Sequence, residues 1–316
     1  MQIKIIKNRS DIGAGTRGSD MGIDAIEIAG INKDNNYFDR FPFQDVDTHN
    51  ESIYNKVRNS WAKRMSLVVE QCKRVSETVR STMKDGFFPI VISGDHSSAL
   101  GTISGIKAAY PEKRLGVLWI DAHADLHSPY TSPSGNVHGM PLAAALGVDN
   151  KHSKDNKVSE ETIINWASLK NIGVTGAKVN PEDIIYFGVR ETEEPEKTLM
   201  STMNIKNYMV EELRHRGADI CINEAIQSLE VCDMIYISFD VDSLDCDSIS
   251  KGTGTPVPRG FDEYEVMNII QGFLKTKKVC CFEIVEVNPL LDLQGNKMAE
   301  TAFEVLDDFT NHLLNF

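Results

Sequence analysis

Six apolar, β-rich runs, at 2–6, 88–93, 115–120, 184–188, 234–239 and 280–285, do most to narrow what this 316-residue chain can fold into. Three of them, PIVIS, VLWI and IYISF, are apolar on both alternations, as strands are when other elements cover both faces of their sheet. Longer amphipathic stretches separate them and predict helices near 62–84, 97–109, 140–146, 160–168, 207–215, 221–230, 262–275 and 300–314. Strands alternating with helices build βαβ units and a mostly parallel sheet. No repeat, low-complexity segment or composition break marks a linker, so a single domain over 1–316 is expected.

Composition narrows the function classes. The chain is 41% hydrophobic and 25% charged, and no stretch reaches the ~18 uninterrupted apolar residues of a membrane span. The opening MQIKIIKNRS reads as a short strand rather than a secretory signal. Six cysteines, at 72, 221, 232, 246, 280 and 281, form no CxxC pair, which predicts free thiols and a cytoplasmic location. A net charge of −13 argues against a nucleic-acid partner, whose phosphates need a basic face. It leaves open whether the carboxylates serve solubility or gather cations.

The position of the polar residues decides between these. PIVIS runs into Gly94, Asp95 and His96; VLWI into Asp121, His123 and Asp125; IYISF into Asp240 and Asp242; CFEIV into Glu286 and Asn288. Each cluster lies just past the C-terminal end of a buried strand, where open α/β sheets hold their ligands. In extended chain, residues two apart point the same way, so DxHxD and DxD can each converge on a point. Alone, His96 reads more often as a hydrogen-bonded histidine near a turn, and a DxD more often as a solvated loop or helix cap. Together they bring four carboxylates and two imidazoles to one place, and such carboxylates cannot all stay ionised without cations. Two divalent ions would neutralise them. Oxygen-rich ligation with imidazole and no thiolate suits Mn²⁺ best, with Co²⁺, Fe²⁺ and Zn²⁺ as alternatives. Two ions about 3.5–4 Å apart can share a water and lower its pKa, giving a hydroxide nucleophile near neutral pH.

SGDHS (93–97), DAHADLHSP (121–129), SGNVHGMP (134–141), SFDVDSLD (238–245), GTGTPVP (252–258) and EVNP (286–289), with GAGTRGSDMGIDAI (13–26) before them, resemble the ordered motif series of the arginase, or ureohydrolase, family. The resemblance runs from about residue 10 to about 310. Within the family, SGNxHGMP with GTGTP is more similar to arginases than to agmatinases or formimidoylglutamases. It implies a three-layer α/β/α fold and two Mn²⁺. One ion would take His96, Asp121, Asp125 and Asp240, the other Asp121, His123, Asp240 and Asp242, with Asp121 and Asp240 bridging. His138 would shuttle a proton, Glu286 would face the guanidinium, and Asp125 joins them among the catalytic candidates. Ser134 and Asn136 would hold an α-carboxylate, and Thr255 would offer a substrate-side hydroxyl.

Four positions depart from the family pattern. Ser93 replaces a glycine and Cys246 a proline. His127 stands where arginases carry an asparagine for the α-carboxylate. Glu193, with Glu191 close by, stands where an aspartate meets the α-amino group. The reading is hydrolysis of L-arginine to L-ornithine and urea. Its alternatives are another guanidino or formimino substrate, such as agmatine, a guanidino acid or formiminoglutamate, and a non-catalytic metal-binding homologue. A phosphoesterase is disfavoured, since no phosphate-cradling loop accompanies the metal motifs. The resemblance also implies a homo-oligomer, trimer or hexamer.

Overall fold

The computed structural model describes residues 1–55 and 60–315. Its strands are β1 (Gln2–Asn8), β2 (Phe43–Asp45), β3 (Phe87–Ser93), β4 (Leu115–Ile120), β5 (Ile184–Phe187), β6 (Lys206–Tyr208), β7 (Met234–Asp240) and β8 (Val279–Val285). They form one sheet in the order β2-β1-β3-β8-β7-β4-β5-β6, with every pairing parallel. The helices are α1 (Gly22–Asn32), α2 (Tyr37–Arg40), α3 (Met65–Lys84), α4 (Ala99–Ala109), α5 (Pro141–Ala145), α6 (Glu160–Lys170), α7 (Glu194–Met203), α8 (Val210–Arg216), α9 (Ala218–Ser228), α10 (Glu263–Leu274) and α11 (Lys297–Asn315).

Period-2 alternation sorts the strand side chains between two cores. Ile90, Leu118, Ile237 and Phe282 face α1, α10 and α11, whereas Val91, Val117, Trp119 and Tyr236 face α3, α4, α5 and α6. Strands apolar on both alternations are therefore covered on both faces, and the three-layer α/β/α expectation holds.

Three helices and two strands were not legible. In α1 apolar residues and two glycines run around the helix, so no one-sided stripe marks it. The four-residue α2 is too short to show a period. For α7 the signal lies at its start: Glu193 and Glu196 form a reciprocal capping box, with Pro195 in the first turn. The strands β2 and β6 have three residues each. β6 takes the place where a helix was expected to begin at 207, and α8 starts only at Val210.

Close packing of α3 on α4 fixes the element that follows His96. It depends on Gly101 and Gly105 of α4. A Cβ at Gly101 would lie 2.8 Å from the Cys72 carbonyl oxygen, and one at Gly105 would lie 2.5 Å from the Ser76 carbonyl oxygen. Alanine favours a helix interior over glycine by about 1 kcal/mol. Overpacking against an immobile backbone costs about 1–3 kcal/mol, so the clash wins. Gly105→Ala is accordingly expected to lower the unfolding free energy by up to about 2 kcal/mol. Urea denaturation monitored by circular dichroism checks this, and an unchanged or raised midpoint would contradict it.

Candidate dinuclear metal centre

The sheet order brings distant motifs together. The four central strands, β3, β8, β7 and β4, are neighbours, and their C-terminal ends carry His96, Glu286, Asp240 with Asp242, and Asp121 with His123 and Asp125. Convergence does not come from extended alternation, as the sequence suggested, but from turns. After β4 the chain bends, and the His123 amide donates to Asp121 Oδ1 at 2.7 Å. Asp125 adopts a left-handed backbone, φ 52°, with its carbonyl accepting from the Leu142 and Ala143 amides at the start of α5. After β7 the Asp242 amide donates to Asp240 Oδ1 at 2.8 Å within a 3-10 turn. Glu286 is also left-handed, φ 68°, and its amide donates to the Gly94 carbonyl. Two non-glycine residues in this sparsely allowed region, both at the site, are held there by the loops around them.

Two groups of donors result. His96 Nδ1 lies 3.1 Å from Asp121 Oδ2, 3.1 Å from Asp125 Oδ2 and 3.0 Å from Asp240 Oδ2. His123 Nδ1 lies 2.9 Å from Asp242 Oδ2 and 3.6 Å from Asp121 Oδ1. Asp121 thus faces both groups, one oxygen to each. Asp240 offers Oδ2 to the His96 group and spends Oδ1 on the Asp242 amide. The surroundings hold these side chains in place. Trp119 donates to Asp121 Oδ2 at 2.9 Å and stacks on the His96 ring at 4.2 Å. Ser238 Oγ lies 2.8 Å from His96 Nε2, Thr255 donates to Asp242 Oδ2 at 2.9 Å, and Glu191 Oε2 lies 3.5 Å from His123 Nε2.

Electrostatics shows what this crowding requires. Burial and the neighbouring carboxylates push Asp240 and Asp242 above the usual carboxylate range, and burial with Asp121 pushes Asp125 up to about 6. For Asp121 the burial penalty is outweighed by the neighbouring His123 and His96 imidazoles, which hold it below that range. Both imidazoles, despite burial that disfavours their charge, are pushed well above the ordinary histidine range by the carboxylates. Buried His96 Nδ1 and Asp125 Oδ2 make no hydrogen bond. Electron-pair donors that protons satisfy this poorly fit divalent cations: His96, Asp121 and Asp240 could hold one, with Asp125 Oδ2 beside them 3.1 Å from His96 Nδ1, and Asp121, His123 and Asp242 a second.

The ligands open onto a cavity of about 310 Å³ lined also by His127, Ser134, Asn136, His138, Glu191, Glu193, Glu196 and Thr255. Every substrate-side residue expected from the sequence is therefore brought to one cavity. Glu286 is almost wholly buried beneath it, its Oε1 accepting from the His96 amide and lying 3.0 Å from His138 Nδ1. His127 Nε2 is already engaged, 3.0 Å from Glu193 Oε2 and 3.4 Å from Glu196 Oε2. Asn136 Oδ1 accepts from Lys63 Nζ at 2.9 Å. Trp119, Ser238 and Glu196 also belong to the site, though no site motif in the sequence marks them. The first two are hidden inside apolar strands, whereas Glu196 is betrayed by its capping-box spacing from Glu193.

With this geometry in place, likeness to known proteins becomes informative. The chain matches the model of the Arginase family over residues 2–310. The chain belongs to the arginase family. It is 34% identical over 307 residues to an arginase of Bacillus caldovelox, covering 96% of each chain. The crystal structure of an arginase from Bacillus cereus superposes with a TM-score of 0.82 at 31% identity, covering 98% of both chains. That of Entamoeba histolytica arginase in complex with L-ornithine gives 0.82 at 26% identity, covering 98% of this chain and 99% of that one. The protein is thus an arginase-like hydrolase of linear amidine C–N bonds, in a metal-dependent family that takes small guanidino substrates. No helix among the described residues is long and apolar enough to cross a membrane.

Chelator-stripped protein is expected to melt at a higher temperature once Mn²⁺ is added, since ligand at about 100 times its Kd adds about 2.7 kcal/mol per site. Asp121→Ala, which touches both donor groups, should abolish the shift, and Ser134→Ala should keep it. Differential scanning fluorimetry reads both, and a metal-induced shift that survives Asp121→Ala would contradict the two-group geometry.

Proposed function

We propose that this protein hydrolyses L-arginine to L-ornithine and urea with two Mn²⁺ held by His96, Asp121, His123, Asp125, Asp240 and Asp242. The observation that carries the reading is Asp121, whose two carboxylate oxygens face two separate imidazole-containing donor groups at the floor of one cavity. The donor chemistry, oxygen-rich with one imidazole per group, favours Mn²⁺ over softer ions. The bound pair would supply Lewis acidity that makes water a nucleophile near neutral pH. Membership of the family and the arginases of Bacillus at 32–34% identity support the substrate, as does the L-ornithine in the Entamoeba structure.

The chain's own residues do the rest. Glu286 Oε1 is fixed by the His96 amide and by His138, while Oε2 makes no hydrogen bond among the described residues. Its carboxylate supplies the negative partner for a guanidinium. Gly254 leaves the Oε2 flank uncrowded: a Cβ added there would lie 2.8 Å from Thr16 Oγ1 and come into van der Waals contact with Oε2 at 3.8 Å. His138 uses Nδ1 on Glu286, which leaves Nε2 to carry a proton to the departing ornithine amine. The Glu286 contact outweighs burial and raises the His138 pKa, so the imidazole can hold that proton near neutral pH. Glu191 and Glu193 give the outer cavity the negative charge that an α-ammonium group seeks, and Ser134, Asn136 and Thr255 bring neutral polar groups. Breaking one C–N bond of the guanidino group by adding water yields urea and the amine, with no redox change.

His127 is the feature that keeps a second substrate in view, because its ring is spent on Glu193 and Glu196 instead of facing the cavity as a free donor. Steady-state urea release from arginine and agmatine, with ammonia or formamide release from formiminoglutamate, separates the readings. The expected result is the highest kcat/KM on arginine. Turnover of agmatine or formiminoglutamate with none of arginine would overturn the substrate while keeping the reaction class. His138→Asn should lower kcat about 10²- to 10⁴-fold, the range of a lost proton carrier, with little change in KM.

A further inference from the structure

One wall of the cavity is the turn that carries Ser134 and Asn136, and residues 60–63 are stapled to it. Gly135 makes the approach possible. Its backbone is left-handed, φ 72°, and a Cβ there would lie 2.2 Å from the Ser60 carbonyl oxygen. The Lys63 amide donates to the Gly135 carbonyl at 2.8 Å, and Lys63 Nζ donates to Asn136 Oδ1 at 2.9 Å. Among the described residues Asn136 is the only side chain that Lys63 Nζ bonds, and no carboxylate pairs with it. The hydrogen bonds at this wall run one way. An ammonium only donates, so of the Asn136 amide it can face the oxygen alone. Oδ1 therefore turns toward Lys63 and Nδ2 turns away. Gly15 leaves room for it, since a Cβ there would lie 2.5 Å from Nδ2. Ser134 Oγ accepts from the Asn136 amide at 3.2 Å. Neither Asn136 Nδ2 nor the Ser134 hydroxyl hydrogen has an acceptor among the described residues. Both side chains thus have an acceptor engaged and their donors open.

We propose that Lys63 is a positioning residue for the substrate's α-carboxylate, holding Asn136 so that this wall selects an amino-acid guanidine over its decarboxylated counterpart; this rests on the arginine reading above. Lys63 does not itself line the cavity and acts through Asn136. A free asparagine amide can present either its oxygen or its nitrogen, and the oxygen repels a carboxylate. Lys63 removes that choice before the substrate arrives, so no binding energy is spent on turning the amide. Its charge also polarises the amide and makes Nδ2 a stronger donor. His127 offers the carboxylate little, because Nδ1 lies 3.1 Å from Thr131 Oγ1 and Nε2 lies 3.0 Å from Glu193 Oε2. The task therefore falls to Asn136 and Ser134. Agmatine, the same guanidine without the carboxylate, gains nothing from them, and discrimination is the difference between the two affinities.

The test titrates L-ornithine and putrescine into Mn²⁺-loaded full-length protein by isothermal calorimetry, since the two diamines differ only in the α-carboxylate. Wild-type protein should bind L-ornithine more tightly. Lys63→Met should weaken L-ornithine about 10-fold, the worth of one hydrogen bond to a charged group, and leave putrescine unchanged. Lys63→Arg, which still only donates, should stay near wild type. Lys63→Glu, which only accepts, should turn the amide over and weaken L-ornithine more than Lys63→Met does. In an Asn136→Ala background, Lys63→Met should have no further effect. Equal weakening of both ligands by Lys63→Met would mean a merely structural staple and overturn the inference. Wild-type affinity for L-ornithine in Lys63→Met would overturn it, as would a further loss of about 10-fold in the Asn136→Ala background. Wild-type protein with no preference for L-ornithine overturns it too, while urea release from arginine still decides the activity by itself. Wild-type protein that prefers L-ornithine but releases no urea defeats the activity alone, and the variant titrations still decide this inference.

Discussion

Four buried carboxylates drawn to one point at the C-terminal end of a parallel sheet set the terms for everything around them. At separations of a few ångströms in a protein interior, like charges repel strongly, and protons are a poor remedy when the same atoms must also face two imidazoles. The molecule shows the conflict directly. Asp125, Asp240 and Asp242 are pushed up, Asp121 is pushed down, and His96 Nδ1 and Asp125 Oδ2 are left without hydrogen bonds. Divalent cations would resolve it in one stroke, and the metal reading therefore rests on charge and geometry before any family enters.

The fold exists, in this view, to hold that cluster still. Parallel order makes β3, β8, β7 and β4 neighbours, so four motifs far apart in sequence end side by side. Short turns then aim the ligands, and left-handed Asp125 and Glu286 show how far the backbone is bent to do so. The glycine-mediated approach of α4 to α3 seats the turn that carries His96, and Ser238 reaches the same histidine from inside the sheet.

How much of this the sequence disclosed follows from the range of its signals. VLWI, IYISF and PIVIS are doubly apolar, so the central strands and their covering helices were legible, and the clusters at their ends pointed to the site. Three-residue strands such as Lys206–Tyr208 carry too few alternations to be seen, and α1 lacks a one-sided stripe. Turn geometry was also out of reach: alternation predicted that DxHxD converges, but a bend and a left-handed aspartate achieve it. His127 shows the limit at the substrate end. Its identity was plain, whereas its engagement by Glu193 and Glu196 depends on where α7 begins.

Membership of the arginase family and the cavity chemistry agree on the reaction class, and the two donor groups sharing Asp121 are the claim on which the mechanism stands. Anomalous diffraction at the manganese edge, from crystals of chelator-stripped protein reloaded with Mn²⁺, tests it most directly. The account predicts two peaks about 3.5–4 Å apart, one among His96, Asp121, Asp125 and Asp240 and the other among Asp121, His123 and Asp242. A single peak, or two that do not share Asp121, would contradict it.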